Sequence, residues 1–289
     1  RTHSPAVVDE IKNGLYYFQE SLFRAVPATY RYLEKAIINT YGRNAKSDKP
    51  ITVPSFIKFG SWVGGDRDGN PNVTPQTTVL ALRMQARVIL LEYIQRITRL
   101  SHVLTQSSLL CQPSPAFLAS LKRDEGYFPV ALKGPDTRFF QEPYRRKLYV
   151  MRYRLECNLT RVKASIENAT LPSLGPVYTS EQDLLTDLCL IHDSLVSHGD
   201  EDVAEGDLKD LIRLVETFGF YLCRLDVRQE SSRHTEAIAE IFGQLSQPID
   251  YTALSEDARV RLLAETIATP SPLAIDRATI SAATRETLE

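Results

Sequence analysis

The sequence predicts a mainly α-helical protein with a few short strands set among long helices. Three observations carry that expectation. Apolar residues recur at spacings of three and four through long segments. Helix-start signatures, a hydroxyl or acidic residue followed by Pro, precede several of those segments. Only two runs have the aromatic and β-branched character of strands. Long helices with short strands between them suit the wall of a partial, heavily decorated α/β (TIM-type) barrel, or a helical bundle with inserts.

Taken in order, Ser4-Pro5 opens a helix that carries Val7, Val8, Ile11, Leu15, Phe18 and Leu22. Pro27 is expected to interrupt it, and a second pattern follows through Tyr30, Leu33, Ile37 and Ile38. The first strand is Phe56 to Trp62. Thr74-Pro75 then starts a long helix through Leu80, Met84, Val88, Leu91 and Ile94 toward Val103. Glu142-Pro143 opens another through Leu148, Met151, Leu155, Leu159, Val162 and Ile166. On it Arg145 and Arg152 fall on one face, which reads as a solvated charged surface or an anion site. Ser180 caps a helix with Leu184, Leu188, Ile191 and Leu195, and Asp207 caps Leu208 to Phe218. The second strand is Gly219 to Arg228. Helices from Ser232 to Phe242, from Ser255 to Ile267 and over the last residues complete the pattern. Loops are expected near 43–54, 106–115, 124–142, 169–179, 198–206, 244–254 and 268–276, where Pro, Gly, Ser and Asp gather.

The 289 residues carry 34 Lys and Arg against 36 Asp and Glu, a net charge of −2 that argues against a general nucleic-acid binder. An apolar content of 43% with so little net charge excludes intrinsic disorder. No run reaches the roughly 20 apolar residues of a membrane span, and the first residues, Arg1 to Pro5, lack the apolar stretch of a signal peptide. No membrane or nucleic-acid partner is therefore expected. The chain opens without Met and reads as an internal fragment of one larger catalytic domain, with no domain boundary of its own. Cys111, Cys157, Cys189 and Cys223 are too widely spaced for a metal cluster or redox pair and read as free thiols of a reducing, cytoplasmic compartment.

Two constellations concentrate chemistry. The first, Gly60-Ser61-Trp62-Val63-Gly64-Gly65-Asp66-Arg67-Asp68-Gly69-Asn70-Pro71-Asn72-Val73-Thr74-Pro75, places Gly, Asp and Arg between a strand and a helix. Asp66, Asp68 and Asn70 match the first positions of a calcium loop, but Pro71 stands where Gly is needed and Thr77 where Glu is needed, so that assignment fails. The Gly spacing fits neither a dinucleotide fingerprint nor a Walker A loop. A tight turn in which Asp side chains cap amides and pair with Arg67 remains an equal alternative to a functional loop. The second constellation, residues 216–236, follows a helix with the second strand and ends in a dense polar cluster, Leu225-Asp226-Val227-Arg228-Gln229-Glu230-Ser231-Ser232-Arg233-His234-Thr235-Glu236. An Arg at a strand's C-terminal end has the planar fork that matches phosphate or carboxylate. Asp226, Glu230 and Arg233 could orient it, or all could form a surface ion-pair network. His234 reads as a helix-start histidine rather than a base.

The first run closely resembles a signature of the phosphoenolpyruvate carboxylases, and residues 225–231 with 233–236 resemble a second signature of the same family, in the same order. Arg1-Thr2, Val7 to Glu10 and Glu142 to Arg145 are similar to it too, so the resemblance covers essentially the whole chain of a family whose chains are much longer. The resemblance implies a decorated barrel fold and a lyase that carboxylates phosphoenolpyruvate with bicarbonate to give oxaloacetate and phosphate. It also implies Mg2+ or Mn2+ as cofactor and a cytoplasmic homo-oligomer, a tetramer in the family. Carried over, Arg228 is the substrate-binding and catalytic Arg, and Trp62 lines an apolar pocket near the substrate methylene. Gly64, Gly65, Asp66, Arg67, Asp68, Asn70, Asp226, Gln229 and Glu230 would shape the site. The family's essential His lies in a Thr-Ala-His-Pro-Thr context that none of His3, His102, His192, His198 and His234 has. No metal ligand of the family is expected in this chain, so the chain alone is expected to be inactive. The alternatives are a non-catalytic helical regulatory or assembly module derived from that fold, and an unrelated phosphate-handling hydrolase, which the missing nucleotide loop and catalytic triad argue against.

Overall fold

The structure, a computed structural model, describes residues 6–42, 52–170, 175–269 and 278–288. It is mainly helical. In chain order the elements are α1 (Val7–Tyr17), α2 (Phe23–Tyr41), β1 (Gly60–Ser61), α3 (Pro75–Val103), α4 (Pro115–Arg123), α5 (Phe128–Ala131), α6 (Pro143–Ile166), α7 (Glu181–Ser197), α8 (Glu201–Val203), α9 (Lys209–Phe218), β2 (Arg224–Leu225), α10 (Ser231–Gly243), α11 (Glu256–Ala268) and α12 (Ala282–Leu288). The Ser4-Pro5 cap and much of the loops expected at 43–54 and 268–276 lie outside the described residues. The chain divides into two compact units. One comprises Asp9–Ser61 and Leu80–Arg224; the other comprises Arg1–Val8, Trp62–Val79 and Leu225–Glu289.

The larger unit is a helical core. Phe18, Phe23, Phe59 and Phe218 form an aromatic cluster in which Phe59 stacks on Phe218 at 5.3 Å, while Phe23 meets Phe218 edge-on at 5.4 Å. Pro27 does not break the chain's first helical run as its sequence predicts. It sits inside α2, and a single π-helical turn, Phe18–Leu22, precedes that helix. A proline has no N–H for the carbonyl four residues back, which here is Phe23. The Arg96 guanidinium donates to the Phe23 carbonyl at 2.8 Å, so the helix continues through Pro27 without leaving that acceptor unpaired.

Both strands are shorter than expected. Residues 56 and 57 are taken by the Tyr30 hydroxyl, which accepts from the Phe56 and Ile57 amides at 3.0 and 3.2 Å. Gly219 and Leu222 adopt left-handed φ values of 52° and 65°, which turn the chain before β2. Only then does the Arg224 amide donate to the Phe59 carbonyl at 3.0 Å. Helix α4 lies where sequence patterning leaves no element. Ser114 caps it by accepting from the Phe117 amide, with Pro115 in its first turn, the signature that also marks Thr74-Pro75.

Helix α6 carries two buried cations, Arg146 and Lys147. Lys147 is 1% exposed. Its ammonium donates to Asp124 at 2.7 Å and to Ser120 at 2.9 Å, and it pairs with Asp187 at 2.6 Å. Asp187 also accepts from the Tyr178 hydroxyl at 2.7 Å. Arg145 and Arg152 are not a solvated face. The Arg145 guanidinium lies 3.9 Å from the Phe139 ring and that of Arg152 lies 4.5 Å from Tyr149, with ion pairs to Glu142 and Glu156. Aromatic rings from the same region cover these cations, which is why a helical-face argument alone misplaces them. On α7, His192 bonds Glu205 at 2.9 Å and Asp193 at 3.2 Å. The Glu205 bond raises the imidazole above its ordinary range and lowers Glu205, while burial and Lys209 oppose the shift on the histidine.

Two expectations follow from these buried and half-buried charges. Lys147→Met leaves Asp124 without its cation and Asp187 with only Arg154 at 3.4 Å, and is expected to cost about 3–5 kcal/mol in urea unfolding; adding Asp124→Asn and Asp187→Asn recovers part of that loss. The His192–Glu205 pair stabilises the fold while the histidine is charged. Its contribution is complete below an unfolded-state value of about 6.5 and disappears as pH rises through the raised folded value. The urea midpoint is therefore expected to fall between about pH 6 and 8, and His192→Gln is expected to flatten that slope.

Candidate functional site

The two sequence constellations meet in the smaller unit. The Trp62 carbonyl accepts from the Gly65 and Asp66 amides at 2.9 and 3.0 Å, forming a tight turn. Gly64 has φ 87° and Gly69 φ 69°, conformations that side chains disfavour. The Gly64 carbonyl accepts from the Thr78 hydroxyl at 2.9 Å, in the first turn of α3. Beyond the turn the chain pairs in parallel with residue 228. The Arg228 amide donates to the Gly65 carbonyl at 3.0 Å, and the Arg67 amide donates to the Arg228 carbonyl at 2.9 Å. A Cβ at Gly65 would run into the Asp226 carbonyl. Glycine is needed there for closeness, not for an unusual φ.

Side chains alternate across this short ladder. Asp66 and Arg228 pair with each other, Nη1 to Oδ2 at 3.6 Å. Arg228 is nonetheless 64% exposed, so most of its guanidinium is available. The Asp66 carboxylate also accepts from the Asp68 amide at 3.2 Å, and Asn70 accepts from the Asn72 amide at 3.1 Å, so both act as turn caps. Arg67 is only 8% exposed. Its Nη1 donates to the Glu286 carbonyl on α12 at 2.8 Å. Arg67, Asn70, Gln229, Arg233 and Glu286 line a cavity of about 380 Å³ that Arg228 does not line.

Glu230 lines the same cavity, while Trp62, Asp68 and Asp226 do not. Trp62 is 61% exposed. Asp68 and Asp226 are exposed. Glu230 accepts from the Ser232 hydroxyl at 2.8 Å, and the Gln229 side chain accepts from the Glu230 amide at 2.9 Å. Arg233 pairs with Glu236 at 3.8 Å, and His234 is exposed at the start of α10.

A profile of the phosphoenolpyruvate carboxylases matches residues 1–289. The chain belongs to the phosphoenolpyruvate carboxylase family. It is 40% identical over 276 residues to a phosphoenolpyruvate carboxylase of Roseiflexus castenholzii, covering 94% of this chain and 29% of that one. It is 35% identical to that of Ralstonia nicotianae, over 100% of this chain and 28% of the relative. Against that of Thermosynechococcus vestitus it is 38% identical, over 98% and 28%. The chain thus spans less than a third of the length of these relatives.

The divalent metal implied by the family does not fit the residues present. Among the described residues no group of three or more His, Cys, Asp or Glu side chains could hold a metal ion. Asp66 is committed to Arg228 and the Asp68 amide. The arrangement offers instead an exposed, forked cation, Arg228. Residues not singled out from sequence also belong to the setting. Thr78 holds the turn and Glu286 receives Arg67; Glu240 on α10 accepts from the Ser281 amide at 2.5 Å, from the Ser281 hydroxyl at 2.7 Å, and from the Thr284 hydroxyl. These hydrogen bonds hold the Glu240 carboxyl below its ordinary range. Ser281, whose hydroxyl accepts from the Thr284 amide, had a local capping signal. Glu240 had none, because its partners lie 41 and 44 residues away.

Gly65→Ala is expected to destabilise the smaller unit by about 1–3 kcal/mol, the usual cost of overpacking. Hydrogen exchange at the Arg67 and Arg228 amides should accelerate with it. Unchanged exchange at both amides would contradict the close approach described here.

Proposed function

We propose that the protein to which this chain belongs carboxylates phosphoenolpyruvate with bicarbonate, and that Arg228 binds the substrate. The observation that carries this reading is the Arg228 guanidinium, held by its own backbone bridge three residues beyond β2 yet largely exposed. In the reaction a bicarbonate oxygen attacks phosphorus and the enolate oxygen leaves, giving carboxyphosphate and enolpyruvate. Carboxyphosphate then breaks into carbon dioxide and phosphate, and the enolate carbon adds to carbon dioxide to form oxaloacetate. The transferring phosphoryl group needs cationic donors in place before reaction, and an Arg fork can bond two of its oxygens at once. Asp66 sets the direction of the fork from 3.6 Å, long enough for a phosphate to displace part of the pairing. Trp62 offers an apolar surface beside the substrate methylene, where exclusion of water would protect the enolate.

The finer parts of the reading belong to the longer protein. Mg2+ or Mn2+ would be held by residues outside this chain and would stabilise the enolate oxygen. The paired segments at β1 and β2 would be wall strands of a helix-decorated barrel, and the assembled enzyme a cytoplasmic homo-oligomer. No described helix is long and apolar enough to cross a membrane.

In the complete enzyme Arg228→Ala is expected to lower kcat/KM by about 10²–10³-fold, as for other lost transition-state donors, with little change in melting temperature. Arg228→Lys keeps the charge without the planar fork and should recover only part of that loss. Steady-state kinetics with a thermal melt decide it: full activity in Arg228→Ala removes this residue from the site.

A further inference from the structure

We propose that Arg67 is a positioning residue, which sets the geometry of the Asp66–Arg228 pair by tying the glycine-rich loop to α12. The inference rests on the assignment of Arg228 to substrate binding and adds a residue that does not touch substrate.

Arg67 connects two things that are otherwise remote in sequence. Its amide donates to the Arg228 carbonyl, and its guanidinium reaches the Glu286 carbonyl, 219 residues away. Helix α12 is in turn fastened to α10 by Glu240, through both the amide and hydroxyl of Ser281 and the hydroxyl of Thr284. Helix α10 begins at Ser231, three residues after Arg228. The links therefore close into a ring: Arg228, α10, Glu240, α12, Arg67 and back through the backbone ladder to Arg228.

This ring adds directional bonds to the packing of α10 against α12. The unit's buried apolar side chains include Val73, Ile241, Phe242, Tyr251 and Ile280. A guanidinium 92% withdrawn from solvent beside an exposed one that faces outward divides the work: Arg67 is spent on the scaffold while Arg228 stays open. The cavity of about 380 Å³ beside Arg67 means that the ladder is not braced by packed side chains on that face. Directional hydrogen bonds have to supply the bracing. Lysine cannot replace Arg67 fully, since its single ammonium lacks the planar reach of the fork.

Coupling is the property that separates this role from a merely structural one. Arg67 and Glu240 share no bond, yet both act on Arg228 through α12. In the complete enzyme Arg67→Met and Glu240→Ala should each lower kcat/KM for phosphoenolpyruvate about tenfold, the scale of a lost charged hydrogen bond. The double variant should be no worse than either single one, and Arg67→Lys should recover part of the loss. In an Arg228→Ala background, Arg67→Met should have no further effect. Independently of turnover, hydrogen exchange in the peptide containing Arg228 should accelerate in both single variants. The proposal is overturned if the two losses multiply, if they persist without Arg228, or if exchange at Arg228 is unchanged while only the melting temperature falls. A wild-type enzyme that makes no oxaloacetate, or an Arg228→Ala variant that keeps full activity, would instead remove the functional reading, and the exchange measurement would still decide the role of Arg67.

Discussion

The candidate site depends on one close backbone approach. The Arg228 amide reaches the Gly65 carbonyl and the Arg67 amide reaches the Arg228 carbonyl, and this is possible only because residue 65 has no Cβ to meet the Asp226 carbonyl. Everything distinctive about the loop follows from that approach. It places Asp66 against Arg228, sends Arg67 to α12, and leaves the Arg228 fork open. The left-handed glycines at 64 and 69 serve the same end, since they let the chain turn into and out of a very short ladder.

The larger unit is built differently. Its helices bury aromatic rings and aliphatic side chains around Phe218, Tyr93 and Leu188, and several polar groups find partners inside that core. The Tyr93 hydroxyl donates to the Gly219 carbonyl at 2.8 Å. Burial raises that phenol well above its ordinary range, so it remains a neutral donor. Arg96 supplies the hydrogen bond that Pro27 cannot. The buried Lys147 ammonium is surrounded by two carboxylates and a hydroxyl. Isolated ions would be untenable there, and the cost of desolvation is offset only because all the partners are present.

Family membership and the site are legible to different degrees. The two signatures were readable because each is a contiguous string whose residue types have a local purpose: glycines for a tight approach, a forked cation at a strand end. What contiguous strings could not show is the wiring between them. Glu240 and Thr284 are 44 residues apart and Arg67 and Glu286 are 219 apart, with no periodicity or motif that links them.

By itself the sequence determined the helical character, most long helices, the caps at Thr74 and Ser180, and the family. These rest on properties that repeat within a few residues: the 3.6-residue period, capping side chains and short motifs. The cap expected from Asp207 is not made, because Asp207 lies inside a π-helical turn and α9 starts from Leu208. Tertiary structure decided what local rules left open or misjudged. Pro27 stays within a helix because Arg96 meets the freed carbonyl. The strands shrink because Tyr30 takes the amides at 56 and 57 while Gly219 and Leu222 turn left-handed. Arg145 and Arg152 lie under aromatic rings rather than in water. In each case the deciding partner comes from outside the local pattern. A hydrogen bond or a ring supplied across the fold outweighs a propensity worth a fraction of a kilocalorie per residue.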